Sequence, residues 1–275
     1  MTSGISAYIE GVAIWSDKLP GWDTARCILS GEMDPPEGAL KRPTPDLLPP
    51  NERRRAPDTV AIALEVGSQA CAHAQRDPSS LPSVFASTHG DLAITDYMCE
   101  ALASDPLLLS PTRFHNSVHN AAAGYWAIAT GSMRPYTALS AGHYTFGSAL
   151  MEALLQAQCD NEAVLLVAYD TAACGPLATV VSSTGRFGCA LVVNCLPSAN
   201  TKHVLRWQMH EREIADCEVG ADYAFLVEGN AMASALPFFE TIARTTGRVN
   251  CAIAPTMNLE VEIAAMDGQA VQVAP

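Results

Sequence analysis

Positive charge is what this chain has least of: 16 Lys and Arg stand against 29 Asp and Glu, giving a formal charge of −13 and a pI near 4.8. A general nucleic-acid binder needs a basic face to displace counterions from phosphate, so that class is excluded. Charged residues make up only 16% of the chain and hydrophobic ones 49%. That balance excludes compositional disorder and lets the 275 residues bury a large core, in one domain or two tightly packed halves. The N-terminus, MTSGISAYIEGVAIW, has no basic n-region, and Glu10 interrupts its apolar run, so it is not read as a secretory signal. No C-x-x-C pair occurs among the nine cysteines, which are scattered from Cys27 to Cys251. Such usage fits reduced thiols in a cytoplasm, packing as small hydrophobes, with no disulfide framework. The longest stretch without a charge, between Arg113 and Arg134, carries His115, Asn116, His119 and Asn120, which are costly in lipid. It reads as a buried soluble helix, and no membrane partner is expected. Internal repeats and low-complexity tracts are missing as well, which favours a single unit over residues 1–275.

What is present is an alternation of apolar strands and helices. Residues 6–15, ISAYIEGVAI, predict an opening strand. From Gly31 to Pro57, seven of the eighteen prolines together with Lys41, Arg42, Arg53, Arg54 and Arg55 mark a surface loop. Val60, Ala63, Leu64, Gly67 and Cys71 then recur at helical spacing and predict an amphipathic helix over 58–75, with Pro57 and Asp58 at its start. PSVFASTHG predicts a buried strand ending in a Gly turn, DLAITDYMCEALAS a helix, and residues 114–130 a third helix ending at Gly131. A strand after Pro135, a turn of small residues, a helix to Gln158 and the strands AVLLVAYD and FGCALVVNC follow. The alternation predicts an α/β sheet buried on both faces. In the last eighty residues VLRWQMHERE reads as a strand, 231–245 as a helix, and NCAIAP with LEVEI as a closing strand pair.

The strand, turn and helix in PYTALSAGHYTFGSALMEALLQAQ are of the kind that presents a nucleophile in many enzymes. Between Ala138 and Tyr144 this one offers Ser140 and His143 but no cysteine. Ala138-Leu-Ser140-Ala-Gly142 is an A-x-S-x-G variant of the hydrolase elbow, and Asp170, Asp216, His203 and His210 follow in an order that could complete a triad. A serine hydrolase of α/β type using Ser140 is therefore one alternative. A histidine at a helix start is biased towards the neutral imidazole. With His143 so placed, or with Cys174 in the small-residue run TAACGPL, an acyl- or malonyl-thioester enzyme is another. His115 and His119 lie four apart on one predicted helix face, which is metal-ligand spacing, yet Asn116, Ser117 and Val118 between them supply no glutamate for H-E-x-x-H. They read as polar residues of a buried helix or subunit interface, with no metal. Arg53, Arg54 and Arg55 form the one concentrated positive patch in an acidic chain.

Asn120, Ala123-Gly124, Gly131 and Pro135, followed by strand, small turn, helix and the strand AVLLVAYD, resemble the N-terminal half of β-ketoacyl synthases. The resemblance implies the thiolase-like fold, a mixed sheet covered by helices. It would be complete in its N-terminal half, 1–195, with a shortened C-terminal part over 196–275. In that family a cysteine stands on the elbow and two histidines come from the second half. Laid without gaps from Asn120 to Val164, the resemblance puts His143 at the nucleophile position; matching Gly142 and Gly147 to the family's elbow glycines puts Leu139 there instead. Neither register places a cysteine, and the H-G-T-type segment and the later histidine are absent. A Claisen condensation needs a thiolate to hold the acyl chain and imidazoles to assist decarboxylation. By this resemblance the chain condenses nothing by itself and uses no cofactor.

Ketosynthase-like chains without the cysteine are known as chain-length factors, and this sequence is similar to the short ketosynthase-like subunit of bacterial aryl polyene pathways. The resemblance implies a non-catalytic partner of an active β-ketoacyl synthase, the two forming a heterodimeric 3-oxoacyl-carrier-protein synthase. Such a partner shapes the acyl tunnel in type II polyketide or fatty-acid-like biosynthesis, with an acyl carrier protein as second partner. In the thiolase fold the elbow strand and the helix before it lie at the dimer interface. Phe114, His115, Val118 and His119, with Tyr144 and His143 at the elbow, are then expected to approach the growing chain, and Arg53, Arg54 and Arg55 to dock the acidic carrier protein.

Overall fold

The apolar runs expected to be strands all pair into one sheet in the computed structural model, which describes residues 4–211 and 222–266. In chain order they are β1 (Ile5–Ser16), β2 (Ser83–Ala86), β3 (Tyr136–Leu139), β4 (Val164–Thr171), β5 (Arg186–Asn194), β6 (His203–Glu211), β7 (Thr246–Ala254) and β8 (Met257–Ala265). Their order across the sheet is β3-β2-β4-β5-β1-β6-β8-β7. β2 is parallel to both β3 and β4, and every other neighbouring pair is antiparallel. β4 and β5 sit in the middle with nearly every residue buried, which is why they read as continuous apolar runs and not as alternating ones.

Two layers of helix produce that burial. On one face α3 (Asp58–His73) and α6 (Ala121–Thr130) pack Val66, Ala70 and Trp126 against Phe85, Leu165 and Val192. Gly67 permits the close approach, since a Cβ there would stand 2.9 Å from the Trp126 ring. On the other face lie α1 (Trp22–Leu29), α7 (Thr145–Asp160) and α8 (Leu236–Ala243), where Phe146, Phe238 and Phe239 stack edge to face. β6, β8 and β7 extend the same sheet from β1 and close over α7: Ser148 Oγ donates to the Ile253 carbonyl at 3.1 Å.

β1 carries a bulge between Ile9 and Gly11, and the extra residue is Glu10, fully buried. Burial pushes its carboxyl up, but hydrogen bonds from Arg76 (2.7 and 2.9 Å), Ser198 and Asn194 outweigh burial and hold it below the usual range. His73 Nδ1 lies 3.1 Å from the Val12 amide and 3.0 Å from the Val12 carbonyl, tying the end of α3 to the same bulge.

The helix expected over 114–130 is broken. α5 (Pro111–Asn116) is capped by Ser110, whose hydroxyl accepts from the Arg113 amide, and ends where Ser117 Oγ donates back to the Phe114 carbonyl at 2.8 Å. α6 begins only after Asn120. A run of Asn, Ser, His and Asn offers the backbone side-chain partners that compete with helical ones, and apolar composition alone did not reveal it. The Pro-rich segment is a loop as expected, except that it holds the short helix α2 (Pro50–Arg55). α4 (Leu92–Ser104) completes the set, its Asp91 cap accepting from the Ile94 amide at 2.8 Å.

Candidate functional site

The elbow connects the end strand β3 to α7. Gly142 takes φ +58°, a left-handed conformation that side chains disfavour, and a Cβ on Gly147 would overlap the Ala252 carbonyl on β7. Thr145 fastens the same turn: its Oγ1 donates to the Gly142 carbonyl at 2.6 Å and accepts from the Ala141 amide at 3.1 Å. Behind the turn, the loop after β2 is fixed by Asp170 at the end of β4, which is 1% exposed. Its carboxylate accepts from Ser87 Oγ (2.7 Å), the Thr88 amide (2.9 Å) and the His89 amide (3.4 Å). Burial pushes its pKa up despite those bonds. The sequence reading considered Asp170 only as a triad acid and missed this role; an aspartate closing an otherwise apolar strand was the available signal.

None of the nucleophiles considered from sequence is activated here. Ser140 Oγ donates to the Thr88 carbonyl at 2.9 Å, while Asp170 is committed to the same loop. His203 lies on β6 beside His73, His210 is near Asn250 at 3.3 Å, and Asp216 lies outside the described residues. Among the described residues no hydrolase triad assembles. Cys174 Sγ lies 3.8 Å from Asp96 Oδ2, and burial together with that carboxylate raises its pKa, the reverse of what a thiolate nucleophile needs. His143 is exposed in the turn between β3 and α7, with no carboxylate bonded to it among the described residues.

His115 and His119 do not share a helix face. His119 falls in the break and its Nε2 lies 2.8 Å from the Ser87 carbonyl, while His115 on α5 lines a groove. The metal-ligand spacing was thus an artefact of assuming one helix. The groove, about 670 Å³, runs between α6 and the segment Leu47–Pro49, with Val118, Gly124, Tyr125 and Ile128 along it and Tyr136 of β3 at its edge. Around it Met133 is 96% exposed and Ile128 80%, with Phe114, Val118 and Tyr136 also exposed. Phe114 itself does not line the groove. Tyr144 is half-buried beside the turn. The sequence reading missed Gly124, Tyr125 and Ile128 as groove residues; a glycine in mid-helix was the signal available.

The three arginines of α2 are not equivalent. Arg53 turns back on the Leu48 carbonyl (3.0 Å) and on Asp46 (3.2 Å). Arg54 bonds Asn51 and is exposed, and Arg55 lines the groove.

A family model for the N-terminal domain of β-ketoacyl synthases matches residues 29–248. The chain belongs to that family. No curated protein matches it in sequence. Among solved structures, a chain of the ketosynthase ApeO in complex with its chain length factor ApeC, from Xenorhabdus doucetiae, superposes with a TM-score of 0.71 at 19% identity, covering 94% of this chain and 99% of that one. A chain of the ishigamide ketosynthase/chain length factor gives 0.73 at 13%, covering 95% and 100%. A chain of AntDE:AntF, a type II polyketide synthase acyl-carrier protein in complex with its ketosynthase bound to the hexaketide, gives 0.69 at 8%, covering 96% and 100%. At these identities the likeness is one of fold, and it confirms the thiolase-like ketosynthase architecture. No helix among the described residues is long and apolar enough to cross a membrane.

Proposed function

We propose that this β-ketoacyl synthase family member is the non-catalytic, chain-length-factor subunit of a cytoplasmic bacterial ketosynthase heterodimer in type II polyketide synthesis, of the aryl polyene kind. One observation carries the reading: an elbow kept in shape by Gly142, Gly147 and Thr145 but carrying no cysteine stands beside the end strand of the sheet and an apolar groove. A catalytic turn needs a thiolate and its imidazoles. This one has no thiolate, and His143 or Leu139 fills the position by either alignment. The face that an isolated protein would keep polar is instead apolar, with Ile128, Met133 and Tyr136 exposed around the end strand.

In this reading β3 and α6 meet the ketosynthase, and the groove becomes the blind end of its acyl tunnel. His115 and Val118 line it directly, whereas Phe114, His119, His143 and Tyr144 are not among its lining residues. Gly124 decides how deep it is, since no atom lies within 4 Å of the place a Cβ would take. The carrier protein docks on α2 through Arg54, the member of the triplet that is exposed and outside the groove.

The test is co-expression with a ketosynthase encoded beside this chain, followed by size measurement and carrier-protein elongation. A stable heterodimer is expected, with no elongation by this chain alone and shorter products from Gly124→Leu. Monomers that never associate, or condensation by this chain alone, would reject the proposal. Carrier-protein affinity unchanged by Arg54→Glu and by added salt would remove the docking part.

A further inference from the structure

A second cavity of about 560 Å³ adjoins the groove, and Arg55 and Thr112 line both. Its walls carry three aspartates and three arginines, but their charges are not free in equal measure. Asp17 is bound by Arg186, with Nε at 2.9 Å. Asp58 is held by Arg42 at 2.9 Å. Asp91 accepts from Thr59 Oγ1 at 2.7 Å and from the Ile94 amide at 2.8 Å. Arg186 is used up on Asp17 and on the Leu40 carbonyl. Arg55 and Arg113 remain, and neither has a carboxylate partner among the described residues; Arg113 lies 3.9 Å over the Tyr97 ring. Asn116, 4% exposed, lines the same cavity with an Oδ1 that meets no donor. A buried amide oxygen without a partner is rare and calls for a ligand group or a turned amide that presents Nδ2–H instead.

We infer that groove and cavity form one site for an apolar chain that ends in a carboxylate. The tail lies along Val118, Gly124, Tyr125 and Ile128, and the carboxylate sits between the Arg55 and Arg113 guanidiniums. Their planar forks match a carboxylate in two hydrogen bonds each, and Thr112 and the Asn116 amide complete its shell. Each cavity by itself has the volume of a small-molecule site, and the lining of the groove is mostly apolar with a few polar groups at the shared end. The chain could arrive as a free fatty acid or as the far end of an ω-carboxyacyl group tethered through pantetheine. This binding claim does not depend on the pairing proposed above and can be tested without a ketosynthase.

The experiment is calorimetric titration of the purified chain with dodecanoate, dodecanol and the pantetheine monothioester of dodecanedioate. Dodecanoate is expected to bind at least about tenfold more tightly than dodecanol, the value of a charge-assisted pair. The double variant Arg55→Gln, Arg113→Gln should erase that preference while leaving dodecanol unchanged. Gly124→Leu should weaken both ligands about tenfold by filling the tail's place. Thermal melting checks that each variant is folded, which exposed arginines and an open glycine favour. Tighter binding of the monothioester than of dodecanoate would assign the site to a tethered chain, and weaker binding to the free acid; both support the site. Equal affinity for acid and alcohol, a preference that survives the double variant, or no binding of either ligand would overturn it.

Discussion

The sheet ends in two strands that meet their surroundings differently. At one end β7 is finished with charge: Arg248 stands opposite Glu262 and reaches diagonally to Glu260 at 3.8 Å, and Arg244 bonds Asp222 just before the strand begins. Its far half rests on α7, with Gly147 pressed against Ala252. At the other end β3 is short and half-exposed, and the apolar side chains of Ile128, Met133 and Tyr136 stand out beside it. Charge and coverage are how a sheet edge that is to stay single is protected from other chains. No charged residue lies on β3 itself, although Arg134 bonds Glu162 just before it begins, and the apolar side chains along it suit the covering by a partner proposed above.

The contrast can be broken most directly by reversing it. Ile128→Arg should lower affinity for the ketosynthase at least about 100-fold, close to 3 kcal/mol for a charge buried at an interface centre. Arg248→Ala on the opposite edge should change it by less than about threefold, both read by surface-bound association. Next in size, Asp170→Ala leaves the Thr88 amide and Ser87 hydroxyl buried without an acceptor, and should cost about 3 kcal/mol in urea unfolding. Amide exchange should speed up in 87–91 and 139–145 and not in β7.

The β7 side has its own weak point in His203, where burial, then the nearby His73, pushes the imidazole down to about 4, and whose buried Nδ1 has no partner. The unfolded chain, with an ordinary histidine near 6.5, binds the proton first. Stability is therefore complete above about pH 6.5 and falls as pH drops towards 4, by about 2–3 kcal/mol. His203→Gln should flatten that part of the pH profile in thermal melts. Smallest is Gly124→Ala, which meets no atom within 4 Å and removes a mid-helix glycine. It should raise stability by about 0.5–1 kcal/mol in the same unfolding assay.

Element type was largely legible in sequence, because buried strands such as β4 and β5 and helices such as α3 and α7 announce themselves by run length and period. What escaped was local and polar. The helix break at Ser117–Asn120 arises from side chains bonding backbone, and it moved His119 away from His115 to the Ser87 carbonyl. The groove escaped because its walls, Leu47–Pro49 on a loop and Gly124 to Ile128 on α6, are about eighty residues apart and meet only in the fold. The absence of a cysteine on the elbow was plain from sequence, whereas the binding of Ser140 to Thr88, which disarms the hydrolase alternative, needed the structure.

Whether β3 is the edge that a ketosynthase covers is decided by hydrogen–deuterium exchange of this chain with and without that partner. The partner is expected to slow exchange at residues 125–140, over the end of α6 and β3, and to leave 246–254 on β7 unchanged. Protection of β7 alone, or of neither edge in a complex that elongates, would contradict that expectation.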